Sequence, residues 1–139
     1  MPKGDDRRRH LNYEKTGIID LGPIKDVIPV NDGIMPVNYG YIKNTRNATE
    51  GDEIDILIIS EKPLVVGDEI EIYPIALLRR ADGDDKIVAV DIENSPIKKW
   101  NDIPKEEREL LLSYFGYHHK IVSIEDGEAA DLYIKKANI

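Results

Sequence analysis

The stretch Glu69-Ile70-Glu71-Ile72-Tyr73-Pro74-Ile75-Ala76-Leu77-Leu78-Arg79-Arg80-Ala81-Asp82-Gly83-Asp84-Asp85-Lys86-Ile87-Val88-Ala89-Val90-Asp91 decides the fold. Its opening, Glu69 to Tyr73, alternates charged and apolar residues, the pattern of a strand with one wet face. Ile75 to Leu78 is apolar throughout, as in a strand covered on both sides. Asp82-Gly83 signals a hairpin, and Lys86 to Asp91 is the returning strand. The order of acids, glycine and closing glutamate that a calcium loop requires is absent from this tip.

Working outward, Ile54 to Ile59 is a further strand, in which Asp55 shares a face with Leu57 and Ile59. A carboxylate ending an apolar face is costly unless something positive meets it. A hard cation would do so, because Mg²⁺ is commonly held by one or two carboxylates with waters and substrate phosphates. The bland alternative for Glu50, Asp52 and Asp55 is a polar loop of solvated acids. Met35 to Ile42 reads as a strand entered through Pro36, with Gly40 allowing close approach of backbone or ligand. Earlier still, Ile18-Ile19 and Ile24 to Val30 read as short strands, broken by Gly22-Pro23 and by the turn Asn31-Asp32-Gly33. Residues 1–10 end in Arg7-Arg8-Arg9-His10 and are expected to form a mobile arm, leaving 11–139 as a single domain.

Beyond Pro96 the period becomes helical. Pro104 opens a helix with Glu106 and Glu107 in its first turn, an apolar stripe of Leu110, Leu111, Tyr114 and Phe115, and Gly116 as its stop. A short strand, Ile121 to Ile124, leads to a second helix over Glu125 to Lys136, with Ala129, Leu132 and Tyr133 expected inward. The adjacent His118 and His119 do not suit a zinc site, since neighbouring residues seldom aim at one ion and His10 is the only other histidine. Short strands followed by two helices give an α+β, mostly β domain, and a closed or partly open barrel protects so many strand edges.

Composition limits what such a domain can do. A chain of 139 residues is one ordinary domain, and 41% hydrophobic with 33% charged residues is globular rather than disordered. A net charge of −8 argues against a general nucleic-acid binder, whose affinity comes from basic surface, and suits a protein that handles cations. Without cysteine there is no disulfide framework and no thiolate chemistry, and the cytoplasm is the default compartment. No apolar run reaches membrane-spanning length, and the N-terminus lacks a signal-peptide core.

Three motifs in order then converge. Pro36-Val37-Asn38-Tyr39-Gly40-Tyr41-Ile42, Glu50-Gly51-Asp52-Glu53-Ile54-Asp55 and the hairpin from Asp82 to Val90 together resemble the soluble family I inorganic pyrophosphatases. That family carries Pro-x-Asn-Tyr-Gly-(Tyr/Phe)-Ile, Asp-Gly-Asp-Pro-x-Asp and an Asp-bearing hairpin closed by lysine. The resemblance implies an OB-like five-stranded barrel with two flanking C-terminal helices and Mg²⁺-dependent hydrolysis of pyrophosphate to two phosphates. It implies Glu14, Glu50, Asp55, Asp82 and Asp84 as metal ligands, with Asp85 the alternative to Asp84. Asp52 would take the proton of the attacking water, and Tyr39 and Lys86 would hold phosphate oxygens, joined by Tyr117, Lys120 and Lys25 in binding substrate. It also implies a homo-oligomer, possibly a hexamer.

The chain departs from the family pattern at charged positions. Asn12 stands where the pattern has lysine, Val27 where it has arginine, and Glu50 where it has aspartate. Loss of one phosphate contact costs on the order of 2–4 kcal/mol in the transition state, by analogy with oxyanion-hole deletions. Reduced activity is therefore expected unless Lys25, Arg79, Arg80 or the arginine arm compensates. The alternatives are a protein of the same fold acting on another phosphoanhydride or phosphate ester, and one that keeps metal binding but has lost catalysis.

Overall fold

The computed structural model describes residues 3–4, 9–14, 17–23, 28–47, 51–61, 64–67, 69–93 and 95–139. The strands run β1 Arg9–Glu14, β2 Gly17–Pro23, β3 Asn38–Ile42, β4 Ile54–Ile59, β5 Ile72–Arg80, β6 Lys86–Asp91 and β7 Ile121–Asp126. The helices are α1 Lys105–Phe115 and α2 Gly127–Ala137. β1 and β2 pair as an antiparallel ribbon, and the other five strands form one sheet in the order β3-β4-β6-β5-β7. The mostly β, α+β architecture is thus present, with the barrel open: among the described residues no pairing joins β3 to β7.

Several boundaries differ from the sequence reading. β1 begins at Arg9, inside the stretch read as an arm, and the N–H groups of Lys3 and Gly4 donate to Asn38 Oδ1 and Met35 O. Of the expected strand Ile24 to Val30, residues 24–27 lie outside the described residues, and Val30 belongs instead to the 3-10 turn Val30–Gly33. Asn31, Asp32 and Gly33 all hold positive φ there, a conformation that short polar side chains and glycine tolerate and a β-ladder excludes. β5 starts at Ile72, so Glu69 to Glu71 precede the ladder.

The central hairpin is the backbone of the domain. β5 and β6 pair antiparallel, and β6 pairs parallel with β4, setting Asp55 opposite Lys86 and Leu57 opposite Val88. Alternation along these strands separates two apolar faces. One holds Leu57, Ala76, Leu78, Val88 and Val90 and packs against Leu111, Tyr114 and Phe115 of α1; the other holds Ile54, Ile56, Leu77, Ile87 and Ala89 and packs under α2. Pro74 is accommodated at a β-bulge, where a missing N–H disrupts the ladder least.

The helices end as their sequences dictate. Pro104 precedes the first turn of α1, and Gly116 N–H closes its last turn on Leu112 O. Asp126 caps α2 by accepting the Ala129 N–H at 2.9 Å. Ala130, rather than Leu132, is the fully buried residue of α2; Leu132 is 53% exposed. The reason is helical phase: Ala130 shares its face with Tyr133, Ile134 and Ala137, which pack against the sheet with it, and Leu132 falls on the opposite side. A Cβ built on Gly127 would lie 2.7 Å from Pro74 O and 3.3 Å from Ile75 Cα. At its far end α2 is tied to the exit of β3, where Arg46 N–H donates to Ala137 O and Ile139 N–H to Asn44 O.

Gly127→Ala should therefore lower the unfolding free energy in urea by about 1–3 kcal/mol, as overpacking does, although alanine is the better helix former. Glu128→Ala, at the exposed neighbour, should stay within about 0.5 kcal/mol of the parent protein.

Candidate active site

Asp55, Lys86 and Leu78 are neighbours across three strands, so the β4–β6–β5 ladder ends in a row of polar groups at one rim of the face covered by α1. Lys86 is 2% exposed, and its ammonium donates to Asp55 Oδ2 at 2.5 Å, to Asp84 Oδ2 at 3.0 Å and to the Tyr39 hydroxyl at 3.1 Å. The positive group that Asp55 requires at the end of its apolar face is thus supplied by the chain itself. Tyr39 is held by stacking on Phe115 of α1, with centroids 5.9 Å apart and rings 13° from parallel.

The hairpin tip completes the rim. Arg80 donates from Nε and Nη2 to the two oxygens of Asp82, at 3.0 and 2.5 Å, and Asp82 Oδ1 also accepts the Asp84 N–H at 3.1 Å. The guanidinium and that backbone N–H hold the Asp82 carboxyl below the usual carboxylate range, against the opposing effect of its partial burial. Asp84 and Asp85 point to different sides of the sheet. Asp84 lies in the cleft with Lys86, whereas Asp85 is buried, accepts the Arg80 N–H at 2.9 Å and lies 3.5 Å from Arg79 Nη1. Arg79 also pairs with Glu125 of β7 and lies over the ring of Tyr133 of α2, so it is spent on the opposite face. Burial, with Asp85 beside it, raises the Tyr133 phenol.

Tyr39, Arg80, Asp84 and Lys86 line a cleft of about 470 Å³ over the apolar Met35 and Phe115. Of the site residues expected from sequence, Tyr39, Asp55, Asp82, Asp84 and Lys86 come together here. Asp52 is exposed in the loop before β4, where its carbonyl accepts the Asn47 N–H at 2.7 Å. Glu50 and Lys25 lie outside the described residues, and Glu14 is described only by its backbone position at the end of β1. Tyr117 and Lys120 are exposed, and the cleft-lining residues between them are His118 and His119. The two histidines were not picked out as site residues, and their one signal is position directly after the helix that supplies Tyr114 and Phe115. Arg80 was one of several cations the sequence offered in compensation, beside Lys25, Arg79 and the arginine arm, and its place on the cleft wall separates it from Arg79.

Asp55 and Asp84 are hard oxygen donors and suit a divalent ion in type, although among the described residues no three ligating side chains lie close enough to hold one unaided.

Comparison with known proteins fits this geometry. The family Pyrophosphatase, described as inorganic pyrophosphatase, matches residues 3–136. The chain belongs to the inorganic pyrophosphatase family. The inorganic pyrophosphatase of Leifsonia xyli is 31% identical over 94% of this chain and 84% of its own, and that of Sulfolobus acidocaldarius is 36% identical over 87% and 71%. The crystal structure of inorganic pyrophosphatase from Ehrlichia chaffeensis superposes with a TM-score of 0.76, covering 98% of this chain and 88% of that one at 24% identity. The Thermus thermophilus structure gives 0.73 over 98% and 84% at 23%. At those identities the structural likeness carries the pyrophosphatase fold, and the family match places the chain among the inorganic diphosphatases.

In metal-free buffer the Asp82 carboxyl carbon should titrate below about 3.9, the ordinary aspartate value, and Arg80→Ala should move it upward. A depressed folded pKa contributes stability that is present above the unfolded value and is lost as pH falls through the folded one. The Arg80 contribution should accordingly be intact at pH 5 and above and vanish in stronger acid, as followed by acid unfolding of the two proteins. An unshifted Asp82 resonance in the parent protein would contradict the pairing.

Proposed function

We propose that the protein hydrolyses inorganic pyrophosphate to two phosphates with Mg²⁺ as cofactor. What supports this most is the meeting of Tyr39, Asp55, Asp84 and Lys86 around one ammonium at the mouth of the cleft, at the positions where the family motifs carry their polar residues. Asp55, Asp82 and Asp84, with Glu50 and Glu14, would hold the cations. Bound there, they neutralise substrate charge and lower the pKa of a water.

The chain's own side chains do the rest. Arg80 would donate to phosphate oxygens from the guanidinium N–H groups that Asp82 does not take, Lys86 would do so as bound cations draw Asp55 and Asp84 off its ammonium, and the Tyr39 hydroxyl, fixed by stacking on Phe115, orients one of those oxygens. Water oxygen bonds to one phosphorus while the bridging P–O bond breaks, and the water proton passes to the carboxylate of Asp52. Exposure leaves Asp52 accessible to solvent in the loop directly ahead of β4. Arg80 is the cation best placed to offset the valine and asparagine at positions 27 and 12, because Arg79 is engaged on the far face. We also read the protein as cytoplasmic and homo-oligomeric. Apolar Val122 and Ile124 on the edge strand β7 and Leu132 on α2 are exposed and suit burial against another copy. Among the described residues no helix is long and apolar enough to cross a membrane.

The assay is phosphate release from pyrophosphate with and without Mg²⁺, beside Asp52→Asn. Release should require the metal and stop on chelation, and the variant should lose about 10²–10⁴-fold in kcat, the range for a general base. Metal-independent release, or an Asp52→Asn enzyme as fast as its parent, would overturn the reading.

A further inference from the structure

We propose that Asp85 is a positioning residue for the cleft on the other side of the sheet. Its buried carboxylate fixes the hairpin tip through the Arg80 N–H, and so sets Asp84 and the Arg80 guanidinium where a cation and phosphate oxygens meet them; this rests on the pyrophosphate reading above. Asp85 itself faces away from the cleft, toward Arg79 and Tyr133.

The tip needs such an anchor because its ladder runs out. β5 and β6 pair as far as Leu78 and Lys86, and the residues between these two carry Arg80, Asp82 and Asp84. Where the ladder ends, the Arg80 N–H donates to Asp85 Oδ1 at 2.9 Å, a side-chain carboxylate taking the place of a strand carbonyl. A hydrogen bond to a charged acceptor is stronger than one between neutral groups. Arg80 O in turn accepts the Gly83 N–H at 3.0 Å, which closes the turn, and the Arg80 side chain grips both oxygens of Asp82. One carboxylate behind the sheet thus holds the residue whose main chain shapes the tip and whose side chain lines the cleft.

Alternation carries the effect to Asp84. Successive side chains entering a strand point to opposite faces, so securing Asp85 behind the sheet turns Asp84 into the cleft, where it accepts the Lys86 ammonium at 3.0 Å. Asp85 can be secured there because its charge is met: Oδ2 lies 3.5 Å from Arg79 Nη1, and Arg79 is steadied by Glu125 of β7 and the ring of Tyr133. A buried ion pair adds little stability over a packed apolar residue, whereas only a polar group can hold a backbone N–H in one orientation.

Mg²⁺ titrated calorimetrically into the full chain reads the placement of the cleft carboxylates without turnover. Asp85→Ala should raise the Kd for Mg²⁺ about tenfold, the low end for a group that supports a metal ligand through hydrogen bonds, and Asp85→Asn, whose amide oxygen can accept the same N–H, should recover most of that loss. Glu125→Ala, which loosens Arg79 but leaves the Arg80 N–H its acceptor, should bind Mg²⁺ as the parent does. In steady-state hydrolysis kcat/KM for pyrophosphate should fall in the same order. A merely structural role would not give this pattern, because lost stability lowers the urea midpoint without changing the Kd of the folded protein. In the parent, the Arg80 amide proton should be protected from exchange with solvent, a check that needs no variant to fold. An Asp85→Ala protein that binds Mg²⁺ as tightly as its parent, an Asp85→Asn protein no better than Asp85→Ala, or an Arg80 amide that exchanges as in an unfolded chain overturns the proposal. If the parent takes up Mg²⁺ but releases no phosphate from pyrophosphate, the functional reading fails on its own, and the titration still decides the role of Asp85.

Discussion

The ammonium of Lys86 is the contact on which the site depends. A cation buried at the end of an apolar face is tolerable only where its charge is balanced and its protons are all accepted, and Asp55, Asp84 and Tyr39 do both. The three partners come from β4, from the β5–β6 turn and from β3. Their convergence therefore reports that three stretches of chain are in register at once. Replacing the ammonium by a neutral group would leave two carboxylates facing each other across a partly buried gap.

That register is a product of the parallel pairing of β4 with β6. Parallel neighbours cannot be joined by a tight turn, so the chain leaves β4, forms β5 on the far side of β6 and returns. The hairpin is consequently central, covered by α1 on one face and α2 on the other. Strand alternation then divides consecutive residues between two tasks. Arg80, Asp84 and Lys86 face the cleft, while Arg79 and Asp85 face α2 and β7, where Glu125 and Tyr133 meet them. The polar cluster under α2 braces the tip from behind, because Asp85 fixes the backbone N–H of Arg80 itself.

Much of this was readable from residue patterns. The apolar run Ile75 to Leu78, the Asp82-Gly83 turn and the Pro104 start and Gly116 stop of α1 are local properties, and the structure places each where its sequence demands; α2 begins at Gly127 rather than Glu125, because Glu125 and Asp126 still belong to the β7 ladder. The face shared by Asp55, Leu57 and Ile59 was equally local. The readings that missed were those where packing outweighs pattern. Ile24 to Val30 looks like a strand by composition, yet at Val30 the positive-φ residues that follow draw the chain into a 3-10 turn. Leu132 is apolar like its neighbours, but the face of α2 that meets the sheet runs through Ala130, Tyr133, Ile134 and Ala137 and leaves Leu132 on the outer side.

Sequence by itself determined the element types, the hairpin, the charged motifs and their kinship, because each is written in spacing over a few residues. Only the tertiary structure decided which cation answers Asp55, which of Asp84 and Asp85 enters the cleft, and that His118 and His119 border it. Those outcomes depend on strand order and on the separation of groups tens of residues apart, which are fixed by packing of the two apolar faces rather than by any local preference of the chain.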